Sequence, residues 1–213
     1  MAEFRGLNKV PRGSAGGWTF TEILGKGVVK SKVTQVNDAK SDAQIRQRTK
    51  IKGLGLYSQQ VLGLTETTLK KIAASRRKYH HNIFVSENKD RVSSTDGKLI
   101  DSELPTLYLS GGSGELIKSP VAKPTPTGVI GITYSNTGYL PTTPLTTNIL
   151  YAVYNKSQDY IYWGNPGKTL ADGSFQIQGV GDKDDEVFVY VMAFNTESKK
   201  GSATQYVGKH TLV

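Results

Sequence analysis

The spacing of hydrophobic and polar positions changes along this chain. Bulky and polar residues alternate over 18–36 around a glycine-rich turn at 24–27, which predicts a β-hairpin. Over 41–88 the apolar residues recur every three or four positions, which is typical of helices. After residue 128 the spacing returns to two, in short segments separated by turn sequences. The pattern therefore predicts a hairpin, then helices, then a region made of strands.

The first helix is predicted to begin at a capping box. Ser41 and Gln44 have the spacing at which a hydroxyl and a side-chain amide satisfy backbone groups of the first turn. Gly53 and Gly55 lie further along, and each weakens a helix by about 1 kcal/mol relative to alanine. We expect the helix to continue through these glycines or to bend at them.

A second helix is predicted from Thr65 or Thr67 to Asn88. Its apolar residues would form one face, and its basic residues would lie mainly on the other. These two helices and the hairpin make up the predicted domain 18–117.

Four features are predicted between the helices and the C-terminal region. Asp96-Gly97 is a turn sequence, 104–109 is a candidate strand, and the glycines of 111–114 predict a flexible break. The segment 118–127 contains three prolines. Because proline fixes φ and lacks an amide donor, we expect a stiff linker there, and with it a domain boundary.

The C-terminal region 128–213 predicts an all-β sandwich. Six or seven short strands over 86 residues, the last two at 203–207 and near 210–213, are typical of an immunoglobulin-like or fibronectin-like fold. The expected core consists of Tyr134, Ile149, Tyr151, Val153, Phe175, Ile177, Val189, Val191 and Ala193. With an extended, glycine-rich arm over 1–17, the chain is predicted to be α+β: an N-terminal β-hairpin plus two-helix module, followed by an immunoglobulin-like sandwich.

Charge is distributed unevenly between the two halves. The chain has a net charge of +9, but residues 1–98 carry 19 Lys and Arg against 8 Asp and Glu, whereas 99–213 carry 8 against 10. A basic half favours an acidic partner, either nucleic acid or an acidic protein surface, although a solvated face without a partner has the same composition. The candidate contact residues are Arg46, Arg48, Lys70, Lys71, Arg76, Arg77 and Lys78.

Patterns that would indicate catalysis or metal binding are weak. The chain has no cysteine, which removes thiol catalysis and cysteine-ligated metals. His80 and His81 are adjacent, and about 100° of helical rotation between them prevents them from readily sharing a metal. Four carboxylates within 182–186 are compatible with a structural Ca²⁺ ion or with a solvated turn. We therefore expect no enzyme and no cofactor.

No membrane contact is expected either. The longest apolar run, 187–194, is much shorter than a bilayer-spanning helix, and the first thirty residues lack the apolar core of a signal peptide.

Several segments resemble an uncharacterised family of small proteins found in Bacteroidota and their phages. The resemblance covers most of the chain and is carried by 28–32 (VVKSK), 41–48 (SDAQIRQR), 149–155 (ILYAVYN), 186–194 (EVFVYVMAF), 198–201 (SKKG) and 206–208 (YVG). The sequence departs from the family in having Ser41 where Pro-Thr is common, and in a longer loop over 137–147. The resemblance implies no known activity, but its link to phage genomes implies a part of a virion.

Three functions are therefore expected, in decreasing order. The first is a structural virion protein of the capsid, neck or tail, assembled in the host cytoplasm, whose partners are other virion proteins and further copies of itself, for example in a ring. The second is a nucleic-acid-binding accessory protein that uses the basic helices, with Tyr79 available for base stacking. The third is a carbohydrate- or surface-binding module that uses Tyr160, Tyr162 and Trp163.

Overall fold

The chain divides into two compact units. A computed structural model describes residues 2–4, 13–23, 26–32, 40–125 and 128–213. The units are Met1–Ser41 and Asp42–Val213. The predicted helical domain and the predicted sandwich therefore belong to one unit, and the division falls at Ser41 instead of at the proline-rich segment.

The first unit is a four-stranded antiparallel sheet. Its strands are β1 (Ala2–Phe4), β2 (Gly13–Ala15), β3 (Trp18–Ile23) and β4 (Lys26–Ser31), in the order β1-β4-β3-β2. The predicted hairpin is confirmed as β3 and β4, while its turn at 24–25 and its end at 33–36 lie outside the described residues.

The prediction of an extended arm over 1–17 is wrong for two segments. Residues 2–4 pair with β4 and residues 13–15 pair with β3, so both segments are edge strands of the sheet. The remainder of the predicted arm, 5–12, lies outside the described residues.

The second unit begins with three helices, where the sequence predicted two. They are α1 (Asp42–Gln60), α2 (Leu62–Ser75) and α3 (His80–Asn88). The break between α2 and α3 arises because Arg77 has a left-handed φ of 52° and Tyr79 is extended, and neither conformation fits an α-helix.

The start of α1 was predicted correctly, but the start of α2 was not. α1 begins directly after Ser41, as the capping box indicates. α2 begins at Leu62, and no side chain caps its N-terminus. Thr65 lies inside the first turn, where its hydroxyl donates to the Leu62 carbonyl (3.0 Å).

Eight strands complete the second unit. They are β5 (Lys118–Pro124), β6 (Ile130–Ser135), β7 (Asn148–Asn155), β8 (Tyr160–Gly164), β9 (Ser174–Ile177), β10 (Glu186–Asn195), β11 (Lys200–Gly201) and β12 (Gln205–Thr211). One sheet has the order β5-β6-β9, and the other has β8-β7-β10, with β11 and β12 both paired to the far side of β10. Consecutive strands cross repeatedly between the two antiparallel sheets, which is the arrangement of an immunoglobulin-like sandwich, as predicted. The two strands predicted at the C-terminus are one strand, β12.

The proline-rich segment is strand β5 and not a linker. β5 pairs only with β6 in its sheet, so it is an edge strand, where Pro120 and Pro124 can do without an amide donor. A shift in register between Lys118 and Val121 accommodates Ser119, whose φ is 49°. Pro126 and Thr127, the end of the predicted linker, lie outside the described residues.

The candidate strand 104–109 and the predicted flexible break 111–114 both differ from their predictions. Asp101–Thr106 is a short 3-10 helix, and no strand forms over 104–109. A Cβ atom on Gly112 or Gly114 would lie 2.6 Å from backbone atoms of Gly201. These glycines therefore allow two backbones to pack closely, and the 111–114 segment is held against β11.

Strand β10 contributes to two hydrophobic cores at once. Val187, Val189 and Val191 face the interior of the sandwich, whereas Phe188 and Tyr190 face the helices. The unbroken apolar run in the sequence is therefore a strand buried on both faces. Eight of the nine residues predicted for the sandwich core lie in it, and the ninth, Tyr151, is partly buried and packs against it.

Candidate interaction surfaces

The first half of α1 is not packed on its own unit. None of the residues 42–52 is buried, and the first buried positions are Gly53 and Leu54. Because successive residues are about 100° apart around a helix, Ile45, Lys52 and Leu56 lie along one side. Ile45 is 48% exposed and Leu56 is 53% exposed. We call this side, with Thr49, the α1 stripe.

The stripe ends in a cleft of about 460 Å³ in the second unit. Its walls come from α1, from the turn around Gly97 and from the turn between β7 and β8. The lining residues are Thr49, Lys52, Gly53, Leu56, Tyr57, Gln59, Gln60, Asp96, Gly97, Lys98 and Asp159. Both cations and anions therefore border this α1 cleft.

Two glycines bring the walls of the cleft together. A Cβ atom on Gly53 would lie 1.9 Å from the Gly97 carbonyl oxygen, so only glycine lets the turn approach α1 this closely. Gly97 itself has a φ of 76°, which glycine adopts without strain, and Val92 and Leu99 form a β-bridge on either side of the turn. The predicted Asp96-Gly97 turn is confirmed.

Two buried tyrosines hold the third wall of the cleft. The hydroxyls of Tyr57 in α1 and Tyr154 in β7 both donate to Oδ1 of Asp159, the latter over 2.9 Å. The Tyr57 oxygen also accepts a hydrogen bond from the Leu99 amide (3.3 Å). Burial, reinforced by Asp159, raises the pKa of both phenols well above that of a free tyrosine. Both hydroxyls therefore remain proton donors, and they join the helix to the sheet.

Gln60 closes the edge of the sheet beside the cleft. Its side-chain oxygen accepts a hydrogen bond from the Ile161 amide (3.0 Å), and its carbonyl accepts one from Nε1 of Trp163 (3.1 Å). The Trp163 ring lies over Gly63, where a Cβ atom would be 2.7 Å away. The last turn of α1 thus covers the edge strand β8.

The basic residues predicted to contact a partner are carried on separate helices. Arg46 and Arg48 are exposed on the first half of α1, and the other five lie at the end of α2 and in the turn after it. Three of these five have intramolecular partners. Lys70 pairs with Glu66 at 3.4 Å, Arg76 pairs with Glu87 at 2.7 Å, and Lys71 donates to the Ser198 carbonyl at 3.1 Å. Arg77 and Lys78 are exposed beside a stacked ring pair, Tyr79 and His81, whose centroids are 5.7 Å apart.

The three aromatic residues predicted to form a sugar-binding row do not all share a face: Tyr160 and Tyr162 lie on one face of β8 and Trp163 on the other. Tyr162 packs at the border of the sandwich core, with the Tyr160 ring 4.8 Å away, whereas Trp163 packs on the helices. The physical reason is the alternation of side chains along β8.

The acidic loop and the histidines hold no recognisable metal site. Asp185 accepts hydrogen bonds from Asn155 Nδ2 (2.7 Å) and from the Asp182 amide (3.0 Å), so it shapes the turn. His80 Nδ1 lies 3.2 Å from the Thr65 hydroxyl. In the part of the chain that the structure describes, no three His, Asp or Glu residues are placed to hold a metal ion.

His210 is expected to make stability depend on pH. Its Nε2 atom is buried without a hydrogen-bond partner among the described residues, and burial lowers its pKa. The unfolded chain therefore binds a proton more readily, and the free energy of unfolding should fall as pH drops below 6.5 and through the lower pKa of the folded state. Urea unfolding at several pH values should show a weaker decline for His210→Gln. Part of the decline should remain, because burial also lowers the pKa of His80. An unchanged pH profile in His210→Gln would contradict this account.

Comparisons with known proteins add little to this geometry. No family model and no curated protein matches the sequence. A solved structure described as "Myokine structure" is similar over 47% of this chain and 98% of its own, with a TM-score of 0.37 and 10% identity. The solution structure of the fn3 domain of human collagen alpha-1(XX) chain is similar over 48% of this chain and 92% of its own, with a TM-score of 0.35 and 11% identity. Because both TM-scores are below 0.5, these two similarities carry no argument about the fold. The assignment of an immunoglobulin-like sandwich rests on the order of the strands in its two sheets.

No described helix has the length and apolar character needed to cross a bilayer.

Proposed function

We propose that this chain is a structural protein that acts through contacts with other macromolecules, as a capsid, neck or tail component of a Bacteroidota phage. The single observation that carries the proposal is the first half of α1, where none of the residues 42–52 is buried and the apolar side chains of Ile45 and Ile51 are 48% and 52% exposed. A helix gains most of its stability from burying an apolar face, so a long helix with an unburied half suggests a surface that a partner covers. The phage setting comes from the family resemblance of the sequence.

In this proposal the partners are other virion proteins and further copies of the chain. Heterologous contacts between copies would close into a ring. Mass spectrometry of purified phage particles tests the setting, and native mass spectrometry of the purified protein tests self-association. Absence of the chain from assembled particles would reject the virion role.

Nucleic-acid binding is a second candidate function. It is favoured by Arg77 and Lys78, which are exposed next to the stacked Tyr79 and His81 rings. Cations that contact phosphates, beside rings that stack on bases, are the usual means of binding single strands without sequence preference.

Salt titration with single-stranded DNA tests this second function. The binding constant K falls as salt rises, so the slope of log K against log salt is negative. If Arg77 and Lys78 each contact a phosphate, the Arg77→Ala/Lys78→Ala variant should make this slope shallower by about 1.4. Lys123→Ala/Lys183→Ala, which removes two exposed cations from the sandwich, is the matched control and should leave the slope unchanged. A flat salt dependence in the unmodified protein would remove nucleic-acid binding as a function.

A further inference from the structure

We propose that strand β9 is an interface through which two copies of this chain pair edge to edge. The two β9 strands would lie antiparallel across a two-fold axis and join the two β5-β6-β9 sheets into one sheet of six strands. This inference rests on the proposed function, since it specifies one contact between copies of the chain.

The outer edge of β9 carries backbone groups that have no partner among the described residues. β9 pairs only with β6, and the Tyr134 amide of β6 donates to the Gly173 carbonyl (2.9 Å) directly before β9. Hydrogen-bonded positions alternate along an antiparallel pair, so Phe175 also bonds to β6. The amides and carbonyls of Ser174 and Gln176 therefore point away from β6, and no described group forms a hydrogen bond to them.

The space beside this edge is open. The side chains of Ser174 and Gln176 are exposed. A groove of about 540 Å³ borders the strand, lined by residues of β6 and β9 and by Pro166 and Lys168 of the loop after β8. A second strand can therefore reach the unpaired groups of β9.

The other edges of the sandwich are covered or interrupted. Strand β5 has two prolines, two lysines and a shift in register. Strand β8 is covered by the last turn of α1, where Gln60 accepts the Ile161 amide. Beyond β10, strand β11 is held against the 111–114 segment, and β12 pairs through a register shift. Features of this kind are the usual means by which a sheet edge avoids pairing with another chain.

Strand β9 has none of these protective features. Its sequence, SFQI, contains no proline and no charged residue, and its register with β6 is continuous. Lys168, which lines the adjoining groove, forms an ion pair with Asp172 at 3.1 Å. The chain has a net charge of +9, but the strand itself adds no repulsion when two copies approach along it.

The sequence of β9 matches itself in one antiparallel register. With the two-fold axis at Phe175, Ser174 of each copy lies opposite Gln176 of the other, and the two pairs together form four hydrogen bonds. Phe175 then faces its own counterpart at the central position, where side chains are closest and aromatic pairs stabilise a sheet. This register satisfies every outward group of β9, so a second copy is the occupant that the strand itself specifies.

Sedimentation of the purified protein over a range of concentrations tests the pairing. A contact between two four-residue strands is short and belongs to the weak class of interfaces, so we expect a monomer at about 5 μM and a clear population of dimer at about 500 μM. In NMR spectra over the same range, the amide signals of Ser174 and Gln176 should shift, whereas that of Ala122, on the opposite edge of the sheet, should not. These measurements use the unmodified protein, so they decide the question even if a variant folds poorly.

Two variants of one residue locate the contact. Gln176→Pro removes an outward amide from each copy and leaves the bonds to β6 intact, because this amide takes no part in them. We expect it to weaken dimerisation by at least about tenfold. Gln176→Thr keeps the amide and should dimerise as the unmodified protein does. Circular dichroism of both variants checks that the fold is retained.

Three results would each overturn the inference: a monomer at about 500 μM, equal dimerisation of the two folded variants, or a dimer whose amide shifts lie outside β9. A strand from an unrelated chain is the alternative occupant. A peptide of eight alternating Thr and Val residues would reveal it by shifting the Ser174 and Gln176 amides of a protein that stays monomeric, which would also reject self-pairing.

The outcome is separate from the test of the virion role, which is measured on purified particles. A chain that is present in particles but monomeric in solution would leave the proposed function standing and remove this interface. A dimer through β9 in a chain that is absent from particles would keep the interface and reject the virion role.

Discussion

Gly53→Ala is expected to destabilise the protein by about 3 kcal/mol, whereas Gly55→Ala, two residues further along the same helix, is expected to stabilise it by up to about 1 kcal/mol. Both glycines lie inside α1, and in both cases alanine is the better helix former. They differ in what the added methyl group meets. At Gly53 it would lie 1.9 Å from the Gly97 carbonyl oxygen, and at Gly55 nothing lies within 4 Å.

The clash at Gly53 cannot be relieved by rotating a side chain, because the opposing atom belongs to the backbone. The turn around Gly97 would have to move away from α1. That displacement would disturb the adjacent Leu99 amide, which donates to the Tyr57 hydroxyl. The substitution should therefore loosen one wall of the α1 cleft as well as lower the stability.

Urea unfolding of the two variants, followed by circular dichroism, measures this pair of opposite effects. Since Gly55→Ala makes the same chemical change in the same helix, it controls for helix propensity and for the unfolded chain. Equal stabilisation by both substitutions would show that the turn does not pack on α1 in solution.

Local patterns predicted those parts of the fold in which neighbouring residues determine the structure. Alternation located the β3–β4 hairpin and the strands of the sandwich, and the capping box at Ser41 located the start of α1. Strand β5 was missed because proline disfavours a strand on average, while Pro120 and Pro124 lie on an edge where a missing amide is tolerated. That exception depends on the position of the strand in the sheet, which the local sequence does not contain.

The candidate site was predictable only in part, for a similar reason. The basic character of α1 is visible in the sequence, so Arg46 and Arg48 could be named as contact residues. Lys98 and Asp159 reach the same cleft from distant segments, and no spacing rule connects them with α1. The one available signal was Gly53 within a helix, together with Gly97 in a turn. Two such glycines are compatible with a close approach of two backbones, but nothing in the sequence pairs them.

Asp159→Ala is expected to lower the free energy of unfolding by about 3 kcal/mol, and Asp159→Asn by about 1 kcal/mol. In the alanine variant two buried tyrosines, Tyr57 and Tyr154, lose the common acceptor of their hydroxyls. Asparagine keeps an accepting oxygen at that position, loses the charge, and has an NH2 group in place of the second carboxylate oxygen. Asparagine also tolerates the left-handed backbone at residue 159, where φ is 51°.

Backbone strain alone would give a different order of stabilities. Glycine adopts a positive φ without strain, so Asp159→Gly would be harmless if the backbone were the only concern. Because glycine removes the acceptor as completely as alanine does, we expect it to cost about 2 kcal/mol, more than asparagine. Urea unfolding of the three variants at neutral pH distinguishes the two causes.

Removing the donors should make the acceptor dispensable. In a Tyr57→Phe/Tyr154→Phe background no buried hydroxyl needs Asp159, so Asp159→Ala should cost about 1 kcal/mol there instead of about 3. The difference is the coupling between the carboxylate and the two phenols, which link α1 to β7 across one oxygen atom. Equal costs in both backgrounds would show that the three side chains do not interact, and that Asp159 does not link α1 to β7.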